Sequence, residues 1–134
     1  MGAAVPEPVA RLLQEPNIAH LATLMPDGSP QVTPVWVDFD GVYVLVNTAE
    51  GRQKERNVRR DARVAVEVMR QDNPYYWAAI RGRVVDLVHE GADEHIDRLA
   101  RKYLGRDRYP ARDPNERRIV LKIEPERVTF SGRE

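Results

Sequence analysis

Six residues between Glu50 and Arg63 are cationic (Arg52, Lys54, Arg56, Arg59, Arg60 and Arg63) and three are acidic (Glu50, Glu55 and Asp61). That is a local surplus of three positive charges in a chain whose formal net charge is +0. The cluster follows the apolar run Val42-Tyr43-Val44-Leu45-Val46 and the small-residue stretch Asn47-Thr48-Ala49-Glu50-Gly51. A strand end, a glycine turn and an arginine-rich helix start together make a seat for an anion, because the first N–H groups of a helix lack partners and carry partial positive charge. A surplus confined to one segment points to a defined anionic ligand rather than to general attraction for polyanions. Within it, the fork of Arg52 and the point charge of Lys54 suit phosphate oxygens, with Arg56 next in line. The competing reading is a solvated helix face, since Glu50 and Lys54, Gln53 and Asn57, and Glu55 and Arg59 all stand at i,i+4 spacing. Asn57 either caps or hydrogen-bonds backbone near the seat.

Other chemistry is thinly supported. Zero cysteines exclude disulfides, thiolate metal sites and cysteine nucleophiles, and agree with a reducing cytoplasm. The three histidines, His20, His89 and His95, lack a carboxylate at recognised ligand spacing, so no metal site is expected. Ser29 and Ser131 have no nucleophile-elbow context, and no GxGxxG follows a strand. A near-neutral charge balance argues against a nucleic-acid partner. No basic-then-apolar leader opens the chain and no apolar run is long enough to span a membrane. A soluble cytoplasmic protein with one domain over residues 1–134 is expected, with 42% hydrophobic and 31% charged residues.

The elements that must position the basic segment can be read from periodicity. Pro6 to Gln14 reads as an opening helix stopped by Pro16, and Ile18 to Met25 as a strand ended by the turn Pro26-Asp27-Gly28-Ser29. A second strand runs from Gln31 to Phe39, interrupted by Pro34, and a two-residue Asp40-Gly41 turn leads into a third over Val42 to Val46. The basic helix covers Gly51 to Arg60. Arg63 to Met69 alternates as a strand, and Tyr75 to Val88 forms a long one around Gly82. A helix from Ala92 to Leu104 ends at Gly105, and Arg106 to Arg118 is a loop. Arg118 to Glu124 and Arg127 to Phe130 are the last strands, with a turn at Pro125-Glu126. Six or seven antiparallel strands with two or three short helices predict a mainly β, α+β fold, a closed or split β-barrel.

With these elements placed, the chain resembles the flavin and deazaflavin oxidoreductases built on the pyridoxamine 5′-phosphate oxidase-like split β-barrel. The resemblance rests on Ala19-His20-Leu21-Ala22-Thr23-Leu24, Pro26-Asp27-Gly28-Ser29-Pro30-Gln31-Val32-Thr33-Pro34-Val35-Trp36, Asn47-Thr48-Ala49-Glu50-Gly51-Arg52-Gln53-Lys54 with Arg56-Asn57, and Ile80-Arg81-Gly82-Arg83-Val84. The branch it most resembles is the short one that uses coenzyme F420, whose members are homodimers with cofactors at the subunit interface. Related branches bind FMN or haem.

The resemblance implies roles. Arg52 and Lys54 would hold the cofactor phosphate, and Arg56 would reach the γ-glutamyl carboxylates of an F420 tail. Gln31, Val32, Thr33, Pro34 and Trp36 would edge the deazaflavin ring, Trp36 alternatively filling the core. Val46, Asn47, Thr48 and Ala49 would let the backbone approach the ring and its polyol chain, although a plain turn needs the same residue types. Tyr76 and Trp77 either come from the second subunit over the first subunit's cofactor or pack across strands. The implied activity is hydride transfer from reduced F420 to a small conjugated acceptor: a quinone, an enone or a tetrapyrrole. No residue stands out as a catalytic acid. An FMN-dependent oxidase or reductase, and a non-catalytic carrier of a flavin-like cofactor or haem, are the alternatives.

Overall fold

The computed structural model describes residues 2–133. Three helices and seven strands follow one another as α1 (Glu7–Gln14), β1 (Ala19–Leu24), β2 (Pro30–Val35), β3 (Asp38–Phe39), β4 (Val44–Ala49), α2 (Gln53–Arg60), β5 (Arg63–Arg70), β6 (Asn73–Val88), α3 (Ala92–Leu104) and β7 (Arg118–Gly132). The strands form one antiparallel sheet in the order β2-β1-β5-β6-β7-β4-β3. Its two edge strands, β2 and β3, are joined by only Trp36 and Val37. A two-residue link between opposite edges requires the sheet to curl until those edges meet, yet no ladder joins them. The result is a half-barrel with a split, the expected fold class.

The inside of the curl is apolar because strand alternation puts one face of each strand there. Leu21, Val37, Val44, Val46, Val66, Val68, Ile80, Leu121 and Ile123 are all buried, and α1 closes them with Val9, Leu12 and Leu13. Each such side chain contributes about 1.5–3 kcal/mol by leaving water.

The basic helix starts at Gln53 rather than Gly51 and the long strand at Asn73 rather than Tyr75, and three further regions differ from the sequence expectation for a tertiary reason. The expected strand from Gln31 to Phe39 breaks after Val35, because Val37 makes its hydrogen bonds to α3 rather than to a ladder. The Val37 N–H donates to the Tyr103 hydroxyl at 3.1 Å, and the Val37 carbonyl accepts from Lys102 Nζ at 2.6 Å. Pro34 is tolerated because β2 is an edge strand. The third strand starts at Val44 and runs on through Asn47 and Thr48 to Ala49, since β7 pairs with it throughout, from Val44 opposite Ile123 to Ala49 opposite Arg118. The turn before it centres on Gly41 and Val42, with Gly41 at φ +98 and Asp40 N–H bonded to the Tyr43 carbonyl. At the far end, Pro125-Glu126 is a bulge and not a turn. Gly82 faces Pro125 and Arg81 faces Arg127, leaving Glu126 as the extra residue of a continuous β7. Gly82 is required there, for a Cβ would lie 2.2 Å from the Glu124 carbonyl oxygen.

Lys102 and Tyr103 are the two groups that fix the split. Lys102 Nζ also donates to the Leu13 carbonyl at 2.6 Å, and the Tyr103 hydroxyl donates to the Asn17 carbonyl at 2.7 Å. Burial lowers the Lys102 pKa to about 8, against the pull of Asp38. A neutral amine keeps two N–H donors, enough for both carbonyls, so deprotonation leaves the clamp intact. Between about pH 8 and the unfolded value of about 10.4, the unfolded chain binds the extra proton, so stability rises with pH through that window. Thermal melts at successive pH values are expected to show this rise, and the Lys102→Met variant is expected to lack it.

Candidate functional site

A cleft of about 320 Å³ opens at the split. Pro34, Val35 and Trp36 from the end of β2 form one wall, Asn47 and Thr48 from β4 another, and Arg52 and Lys54 from the start of α2 the floor. Ile18, Ile96, Tyr109 and Arg118 complete it.

The start of α2 is built for an anion. Gly51 adopts φ +90, Arg52 is the N-cap in an extended conformation, and no side chain caps the helix. Glu55 turns back to accept from the Gly51 N–H at 2.8 Å, and so is not available to the cations of the cleft. Asn57, fully buried, pegs α2 to the sheet. Its amide donates to the Thr23 hydroxyl at 2.9 Å and to Met25 Sδ at 3.4 Å, while its carbonyl accepts from Gln53 at 2.8 Å.

Three cations converge on this floor. Arg118, 8% exposed, donates from Nε to Asn47 Oδ1 at 2.9 Å and from Nη1 to Glu116 Oε2 at 3.1 Å, and its guanidinium lies 5.4 Å from the Tyr109 ring centre. Arg52 Nη2 meets Glu116 Oε1 at 2.9 Å. Lys54 has no carboxylate partner among the described residues. Burial first, then the charges of Arg52 and Arg118, hold its ammonium below the ordinary lysine range. One carboxylate for three cations leaves two positive charges unbalanced.

Behind Arg118 a relay of hydrogen bonds fixes its direction. The Asn47 amide donates to the Ala92 carbonyl at 2.8 Å and meets His95 Nδ1 at 3.2 Å. Because Asn47 Oδ1 already accepts from Arg118, His95 Nδ1 must act as acceptor, which leaves Nε2–H to donate to Asp38 at 3.3 Å. Burial opposes the charge on Asp38, but the bonds from His95 and the Phe39 N–H outweigh it and hold the carboxyl below its usual range.

The upper wall is aromatic. Trp36 stacks on Tyr103 with ring centres 5.2 Å apart and planes within 5°, and meets Tyr109 edge-on at 5.9 Å. Tyr109 rides on the loop after α3, which Asp97 pins by accepting from the Tyr109 N–H at 2.9 Å and from Arg112 at 2.7 Å. The hydroxyl oxygens of Thr33 and Thr48 are buried with no partner among the described residues. Thr48 lines the cleft, and Thr33 shares a strand face with Val35, which also lines it. Unpaired buried hydroxyls are costly unless a ligand bonds them.

This arrangement can hold a phosphate-bearing, flat, polar-edged molecule. A sequence model described as Pyridoxamine 5'-phosphate oxidase matches residues 5–132. The chain belongs to the pyridoxamine 5′-phosphate oxidase family. It is 35% identical over 122 residues to an F420H(2)-dependent biliverdin reductase of Mycobacterium tuberculosis, covering 90% of this chain and 83% of that protein. A solved structure of an F420 reductase is 33% identical, with a TM-score of 0.81 over 93% of this chain and 98% of the other. General Stress Protein 26 of Bacillus anthracis, 15% identical with a TM-score of 0.70 over 93% of this chain and 92% of the other, shares the fold.

Of the residues singled out in the sequence, the family's fold brings Pro34, Trp36, Asn47, Thr48, Arg52 and Lys54 into one cleft. Others lie apart. Gln31 accepts from the Thr23 hydroxyl at 3.2 Å, and Val32 is 63% exposed on the outer face. Val46 and Ala49 are buried in the sheet. Arg56 bonds the Gly51 carbonyl and Gln53, folding along its own helix. Tyr76 and Trp77 stand at the opposite end of β7 from Arg118, where Tyr76 packs edge-on against Phe130 at 5.4 Å. Ile18, Ile96, Tyr109, Glu116 and Arg118 were missed. Arg118 and Tyr109 carried a faint signal: a cation opening an apolar strand, and a lone aromatic in a polar loop.

The histidines sit singly with carboxylates, His20 on Glu67 at 2.9 Å, His89 on Glu50 at 3.0 Å and His95 on Asp38. No group of three metal-ligating side chains occurs among the described residues, and none of their helices is long and apolar enough to cross a membrane.

Proposed function

We propose that this protein is an F420-dependent reductase acting on a conjugated small molecule of the tetrapyrrole class. The observation that carries the reading is the half-buried Lys54 ammonium, in one cleft with Arg52 and Arg118 and with no carboxylate partner among the described residues. An external anion relieves that arrangement while keeping the ammonium charged, and a phosphate at the start of α2 does so directly. The relatives named above support F420 as the cofactor: one, at 35% identity, is an F420H(2)-dependent biliverdin reductase by name, and the other, at 33%, an F420 reductase.

Arg52, Lys54 and Arg118 would hold the phosphate, Thr48 the polyol chain, and the free edge of β2 near Thr33 and Pro34 the polar edge of the ring. When bound, the reduced deazaflavin supplies a hydride to an electron-poor carbon of the acceptor, which is completed by a proton from solvent. The chain contributes orientation and exclusion of water, through Trp36 and Tyr109 above the cleft. The acceptor site would be completed in a homodimer across the outer face of β1, β5 and β6, where Ala22 and Ala65 lie in line with the exposed Arg81, and His20 and Glu67 in line with Ala79. Light scattering is expected to give twice the chain mass.

The decisive test is a binding titration with oxidised F420 and with FMN, followed by turnover of biliverdin with reduced F420. F420 is expected to bind and biliverdin to be reduced. Tight binding of FMN with none of F420 would replace the reading with a flavin enzyme, and F420 binding without turnover of any conjugated acceptor would reduce it to a carrier.

A further inference from the structure

Among the described residues Glu116 is the acid that pairs with the cations of the floor, and its placement is unlike that of a surface ion pair. Each of its oxygens goes to a different guanidinium: Oε1 to Arg52 Nη2 at 2.9 Å and Oε2 to Arg118 Nη1 at 3.1 Å. Those are the donor positions that two oxygens of a phosphate would take. A carboxylate has only two oxygens, and Lys54 beside the pair is left over; a phosphate has oxygens for all three.

The three partners also differ in how firmly they are held. Arg118 begins β7, paired with Ala49, and is fixed by Asn47. Arg52 is tied to β4 through its N–H to the Ala49 carbonyl at 3.3 Å. Glu116 sits on the irregular segment between α3 and β7, where its N–H donates to the Asp113 carbonyl at 3.0 Å and the carbonyl of the next residue, Arg117, accepts from the Glu50 N–H at 2.9 Å. The front half of that segment is pinned to Asp97 through Tyr109 and Arg112, and its end to Glu50, so the group free to turn away from the arginines is the Glu116 side chain, which leaves the aromatic wall covered. The hydrogen bond from Arg52 outweighs burial and holds the Glu116 carboxyl below its usual range, so it is charged at neutral pH.

We propose that Glu116 is an internal counter-ion that competes with the ligand's phosphate for Arg52 and Arg118 and is displaced when the phosphate seats. The proposal rests on the reading of the cleft as a phosphate site. It gives Glu116 a cost in affinity and a benefit in stability: it keeps two guanidinium groups from repelling each other and from capturing stray anions. Ligands that bring several oxygens and a ring to the cleft can displace it, whereas a weak single-charge anion cannot.

The test is the Glu116→Gln variant in the full-length chain, with binding of F420 and of inorganic phosphate measured by titration and thermal unfolding measured with and without each. Removing one charge within a few ångströms of the bound phosphate is expected to tighten binding about tenfold. It is also expected to lower the midpoint of the ligand-free protein and enlarge the shift that ligand produces. Unchanged or weaker binding would overturn the proposal and make Glu116 a strut that aims the arginines. Glu50→Gln is the control, since Glu50 contacts Arg59, His89 and Arg117 and neither Arg52 nor Arg118. If it tightens binding as much, the effect is one of general charge, and displacement is refuted. If the wild-type chain binds neither F420 nor inorganic phosphate, the phosphate reading itself fails, a result distinct from wild-type binding that Glu116→Gln leaves untouched.

Discussion

Arg118→Ala is expected to weaken F420 binding about 100-fold and to destabilise the protein by ~1–3 kcal/mol. The two losses have separate causes. The binding loss follows from removing the innermost of three cations, whose screening by solvent is slight because Arg118 is 8% exposed. The stability loss follows from what the guanidinium leaves behind. Asn47 Oδ1 loses its donor at 2.9 Å, and the relay that fixes His95 between Asn47 and Asp38 loses its end point. Arg118→Lys is expected to recover less than half of the binding energy, because one ammonium cannot reach Asn47, Glu116 and the phosphate in the directions that a planar fork provides. Titration of F420 fluorescence gives the affinity, and thermal melts without ligand give the stability. Full affinity in Arg118→Ala would show that the anion sits elsewhere on the basic helix.

Arg118 also shows where sequence reading stopped. The basic helix, its glycine turn and the β2 strand were legible because their signals are local: charge density, turn residues and alternation. The part of the site contributed by β7 and the loop before it was not. Arg118 reaches the cleft because β7 pairs with β4 in a register that sets Arg118 opposite Ala49, a contact between residues 69 positions apart. Nothing in the local sequence states that register. The same holds for Tyr109, placed by Asp97 on α3, and for Trp36, whose stacking partner Tyr103 is far along the chain. Pro125-Glu126 was misread for a related reason: a proline and a polar residue signal a turn, but a long partner strand with Gly82 at the crossing absorbs them as a bulge. Within the basic helix, local reading ranked Arg56 third among the anion ligands, whereas the fold turns its guanidinium back onto Gly51 and Gln53.

Lys54→Met is expected to separate binding from stability completely. The ammonium has no acceptor from the described protein, is half-buried, and faces the like charges of Arg52 and Arg118. Folding therefore works against it, and replacing it with an apolar side chain of similar length removes the desolvation cost and the repulsion together. The melting midpoint without ligand is expected to stay level or rise. Affinity for F420 is expected to fall ten- to a hundredfold, about 1.4–2.8 kcal/mol, since the phosphate loses a charge-assisted bond. The pH dependence carries the same signature. With its pKa held below the ordinary lysine value, Lys54 loses its proton at a lower pH than a solvated lysine, and binding weakens there as pH rises. Bound phosphate favours the charged form and moves that pKa back up, so near the lowered pKa binding is accompanied by proton uptake at Lys54. Lys54→Met is expected to lose both the alkaline weakening and the linked proton. A variant that keeps wild-type affinity while losing stability would assign Lys54 to the scaffold, and the two unbalanced positive charges of the cleft would then need another explanation.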